Sequence, residues 1–158
     1  MDKRKNGQVH HSFVDVIKQM TPLDAKVLSK LDNPTILLHY QTHDRNNPPN
    51  KVGITSDILL SDDFPEFDND VSLSIGNLAR LGFLEIPTRN MGGVRIGGNN
   101  PEILDRFQRT QLYADLESNL HSTSSSLENY EVVSYPSYLT KFAFTFRDIC
   151  LSTSIAAS

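Results

Sequence analysis

Apolar positions along this chain fall in short, separated blocks, and the clearest block is Ser72–Ile86, SLSIGNLARLGFLEI. Val71, Ile75, Leu78 and Ala79 recur at helical spacing and draw one apolar stripe along a polar rod. Gly82 then serves as the C-terminal cap, because glycine enters the left-handed conformation without steric cost. From Phe83 the period changes to two. Leu84 and Ile86 point one way, Phe83 and Glu85 the other, as in a short strand.

Upstream, Phe13, Val14, Ile17 and Met20 predict one face of a helix from Ser12. Thr21-Pro22-Leu23-Asp24 restarts it: Thr21 caps, Pro22 suits the first helical position, and Asp24 favours the positive end of the dipole. Leu23, Val27, Leu28 and Leu31 carry the buried stripe of this second helix, which Asn33-Pro34 ends. Residues 35–41 (TILLHYQ) read as a short strand, 42–53 as loop, and 54–60 as a small helix or strand. Asn100-Pro101 opens a helix with Ile103, Leu104 and Phe107 on its core face, continued by Leu112, Leu116 and Leu120. Residues 122–126 (STSSS) break the pattern. A strand over 130–138, bent at Pro136, precedes a last helix that turns Phe142, Phe146, Ile149 and Cys150 inward. Helix, glycine and strand in succession form the joint between the third helix and first wing strand of a winged helix. The expected fold is therefore α+β and mainly helical. It is winged-helix-like, with an extra N-terminal helix, an inserted helix after the wing region and a C-terminal helix. Residues 1–11 read as a flexible lead-in, 12–152 as a single domain and 153–158 as a frayed tail.

Composition changes this picture little. At 158 residues, 38% hydrophobic and 22% charged, the chain is an ordinary soluble one, with no apolar run near the roughly 20 residues a membrane span requires. The single Cys150 excludes an internal disulfide and fits a reducing compartment, so the cytoplasm is expected. Charge is uneven within a net −4: residues 1–30 balance to +3 and residues 51–75 to −5. An acidic chain is poorly matched to a nucleic acid as partner, although a local basic patch can suffice.

Three separated stretches resemble the Abi-alpha (abortive infection alpha) family of bacterial proteins: VHHSFVDVIKQMTPLDAKVLSKL, SIGNLARLGFLEI and YLTKFAFTFRDICLS. Ala143 stands where the family's last motif, shared with MarR-type winged-helix regulators, reads Leu-Thr-x-x-Gly. Family members also carry a helical segment before the His-Ser-Phe motif, so this chain reads as the C-terminal part of a longer protein. The resemblance implies a role in phage defence. It carries over no catalytic residues, since the shared positions are mostly apolar.

Candidate chemistry is sparse. Of His10, His11, His39, His43 and His121, only His39 and His43 have a spacing that zinc sites use on a helix, and no Glu or Cys completes a site. The glycine pairs in RNMGGVRIGGNN lack the Lys-Ser/Thr of a phosphate loop and read as a hairpin tip. The carboxylates of residues 61–70 read as a solvated loop, and Cys150 as a small hydrophobe. No metal and no cofactor is expected. The leading expectation is a non-enzymatic interaction domain with a protein partner, working through its wing or acidic loop. The alternative is a DNA-binding regulator using the central helix 71–82 and the wing 87–98. There Ser74 and Asn77 would meet bases while Arg80, Arg89 and Arg95 take phosphates. An enzyme whose site the spacing does not reveal is the least supported reading.

Overall fold

A computed structural model describes residues 13–44, 51–53, 57–86, 100–122 and 128–151. In chain order these form α1 (13–17), α2 (Pro22–Lys30), β1 (Thr35–Asp44), β2 (Lys51–Gly53), β3 (Ile58–Leu59) and α3 (Asn69–Arg80). Then follow β4 (Leu84–Glu85), α4 (Pro101–Gln108), α5 (Gln111–Ser122), β5 (Glu128–Leu139), α6 (Lys141–Phe146) and a π-helical turn, Arg147–Leu151. The architecture is α+β and mostly helical. Its sheet is antiparallel in the order β2-β1-β5-β4, with β3 also on β1.

The centre is a two-stranded ribbon. β1 and β5 pair from Thr35 opposite Ser137 to Asp44 opposite Glu128. Alternation along these strands divides the apolar residues between two cores. Leu37 and its neighbours Leu59 and Tyr135 face one way, joining Val27, Leu28, Ile75, Leu78 and Phe146 from α2, α3 and α6. Leu38, Ile58, Tyr40 and Val132 face the other, against Phe107, Ile103, Leu112 and Leu116 of α4 and α5. The sheet is thus covered by helices on both faces. Each large apolar side chain buried this way contributes about 1.5–3 kcal/mol.

Local chemistry sets the helix starts. Thr21 caps α2 in a full capping box: its hydroxyl accepts from the Asp24 N–H at 3.1 Å, and the Asp24 carboxylate accepts from the Thr21 N–H at 2.7 Å. Asn100 caps α4, with Pro101 at the first helical position. Thr140 caps α6 by accepting from Ala143 N–H at 3.2 Å, and donates the same hydroxyl to Gly82 O at 2.6 Å. Gly82 has φ +87°, the left-handed turn expected of it between α3 and β4. Ala143 is fully buried, and no described non-glycine residue has positive φ, so alanine fits at this place without backbone strain.

Several expectations are corrected. Phe13 and Met20 pack against the core as expected, but Val14 and Ile17 are exposed, and Val16 takes the inward position of α1 in their place. Residues 42–44 extend β1 and 51–53 form β2, because ladder pairing overrides the polar composition of that segment. The 101–122 segment is two helices: α4 ends at Gln108, and α5 restarts after Thr110, whose hydroxyl accepts from Tyr113 N–H at 3.2 Å. Ile149 is exposed, because the last helix widens into a π turn after Phe146 and rotates that position outward. Ser122, expected in the 122–126 breaker, is the last residue of α5; the rest of that breaker, the lead-in, the wing residues 87–98 and the tail lie outside the described residues.

Candidate functional site

The candidate surface is built on α3, whose inner face is fixed by Val71, Ile75 and Leu78 in the core. Its start is held by Asp68, which accepts from Asp70 N–H at 2.8 Å. Ser74 and Asn77, expected on an outward polar face, turn toward α2 instead. Ser74 is only 4% exposed. Its hydroxyl and the Asn77 Nδ2, at 2.7 Å, both hydrogen-bond the carboxylate of Asp24. Asn77 Oδ1 in turn accepts from Arg80 Nη2 at 2.7 Å, and Arg80 Nη1 donates to Gln19 Oε1 at 3.4 Å. This correction has a physical cause: Asp24, 2% exposed, must have donors around its charge, and the polar positions of α3 supply them.

Burial alone would push the Asp24 carboxyl up. The hydrogen bonds from Thr21, Ser74 and Asn77 outweigh it and hold the group below the usual carboxylate range. Arg80 remains exposed, at the C-terminal end of α3, while Arg89 and Arg95 lie outside the described residues. What α3 presents outward is Asn69, Asp70, Leu73, Gly76 and Arg80, with Leu73 62% exposed. Sequence reasoning passed over Leu73 because it sits beside the buried stripe in the helical count.

The acidic segment is solvated, as expected, and several of its carboxylates also meet partners at the surface. Asp62 pairs with Arg106 at 3.0 Å and Asp63 with Lys30 at 3.5 Å. Glu66 accepts from the Gln111 N–H at the start of α5 at 3.0 Å, and Asp68 caps α3. An open cleft of about 620 Å³ runs between α2 and this segment, with Leu23, Lys26, Phe64 and Glu66 in its walls. Lys26 Nζ lies 5.9 Å from the Phe64 ring centroid.

A second polar cluster, invisible in the sequence, sits against the first core. The Tyr135 hydroxyl donates to the Asp57 carboxylate, and the Ser72 hydroxyl to the Asp57 carbonyl. His39 Nδ1 stands 3.9 Å from Asp57 Oδ1, with His39 itself 4% exposed. The arrangement ties β5 and α3 to the residue that leads into β3. His39 and His43 lie on a strand, not a helix, so about 13 Å of backbone separates them and the helical zinc geometry does not arise. Among the described residues no group of three or more His, Cys, Asp or Glu could hold a metal. Burial pushes the Cys150 thiol up, as for a small hydrophobe. No described helix is long and apolar enough to cross a membrane.

No curated protein and no solved structure matches the chain. The family model described as abortive infection alpha matches residues 1–150, nearly the whole chain, and takes in the first two stretches that carry the resemblance and the third as far as Cys150. The chain belongs to the abortive infection alpha family.

Proposed function

We propose that this chain is a non-enzymatic, winged-helix-like interaction domain that serves phage defence in the bacterial cytoplasm through contacts with protein. Family membership supports the setting. The observation that carries the mode of action is α3 itself: Leu73 stands exposed at the middle of its outer face, while Ser74 and Asn77, the side chains suited to bases, are committed to Asp24. The middle of this face, Leu73 and Gly76, offers no positive charge to a phosphate backbone, which supports protein over a polyanion. In this reading β4 and β5 are the two strands of an enlarged wing, into which α4 and α5 are inserted.

DNA binding through the central helix and the wing 87–98 is the alternative, and Arg80 at the exposed end of α3 is the observation that favours it. A duplex titration at several salt concentrations separates the two. The protein-contact reading expects no specific binding at physiological salt. Tight, sequence-dependent binding, lost when Arg80, Arg89 and Arg95 are neutralised together, overturns it. Three lost phosphate contacts would flatten the log K against log salt slope by about 2.7.

A further inference from the structure

The outer face of α3 is complementary to itself. Leu73 is exposed near its middle, and Gly76, one turn on, has no heavy atom within 4 Å of where a Cβ would sit. Neither intramolecular crowding nor a positive φ calls for glycine there, although alanine is the better helix former. Asp70 and Arg80 stand exposed toward the two ends, and neither meets an opposite charge among the described residues. Ile75 is the midpoint between Asp70 and Arg80, and also between Leu73 and Asn77.

We propose that α3 pairs antiparallel with the α3 of a second copy of this chain, across a two-fold axis level with residue 75. That operation lays Leu73 of each copy over the shallow turn at Gly76 and Asn77 of the other. It also brings Asp70, about 15 Å along the helix from Arg80, level with Arg80 of the second copy. A parallel pairing would set like charges against each other, so the charge pattern selects the two-fold arrangement. Gly76 lets the two backbones approach where a side chain would hold them apart. Val14 and Ile17, both exposed, belong to α1, whose following turn meets this end of the face through Gln19, hydrogen-bonded to Asn77 and Arg80. The pairing rests on the protein-contact reading and names its partner.

Sedimentation equilibrium of the full chain, from about 10 μM to about 1 mM, tests it. A reversible monomer–dimer equilibrium is expected. Leu73→Asp, at an exposed position, abolishes the dimer while leaving the far-ultraviolet circular dichroism unchanged. Gly76→Ala weakens the dimer yet raises the melting temperature of the dilute monomer, opposite signs that a purely structural role for Gly76 would not produce. Asp70→Arg weakens association at least about tenfold, and Asp70→Arg with Arg80→Asp restores it to within about threefold. A chain monomeric throughout, a dimer that survives Leu73→Asp, or a charge exchange without rescue overturns the pairing. Any of these leaves the protein-contact reading to the duplex titration, which fails independently.

Discussion

Replacing Asp24 with Asn tests whether a buried charge, rather than packing, joins α2 to α3. The carboxylate receives the Thr21 N–H and Asn77 Nδ2 at 2.7 Å each, and the Ser74 hydroxyl as well. A hydrogen bond to a charged group contributes about 1.5–3 kcal/mol, and asparagine keeps one acceptor oxygen while turning an NH₂ toward donors. The expected loss is about 2 kcal/mol at pH 7. With a urea m-value of about 2 kcal/mol/M, the unfolding midpoint falls by about 1 M. The chain has no Trp, so circular dichroism is the suitable probe. The pH dependence is the sharper test. The Asp24 carboxyl is depressed in the folded state, so its stabilisation is present above the unfolded pKa of about 4 and is lost as pH falls through the lower folded value. The difference between wild type and Asp24→Asn should therefore shrink below about pH 4, with the other carboxylates titrating in both proteins and cancelling. A difference that persists unchanged into acid would refute the charge argument. Full additivity of Asp24→Asn with Asn77→Ala would do the same, since contacting residues couple.

Two further perturbations probe the rest of the frame. Leu78 is fully buried in the core, and Leu78→Ala should cost about 2–5 kcal/mol through lost contacts and a residual cavity; an unchanged denaturant midpoint would dispose of this packing. Gly82→Ala has room for its methyl group but forces φ +87° on an L-residue, so a loss of about 1–2 kcal/mol is expected, and an unchanged melting temperature would show that the turn can relax.

Local elements were legible in the sequence because their determinants are neighbours along the chain. The Thr21 cap, the Asn100-Pro101 start and the Gly82 turn each depend on groups within a few residues, and each is found where the pattern places it. The apolar stripe of α3 was likewise readable, since a period of 3.6 defines a face without reference to any partner. The tertiary structure decided everything that depends on which element lies opposite. Pairing of β1 with β5 joins residues about a hundred positions apart, and only that register assigns Leu37 and Leu38 to different cores. The same applies to the cluster of His39, Asp57 and Tyr135, whose members share no spacing signal. Ser74 and Asn77 show the limit most clearly. Their polarity marked them as surface residues available to a partner, but a polar side chain is equally at home against a buried charge. It was the crossing of α2 over α3 that put Asp24 in front of them and left Leu73 facing out.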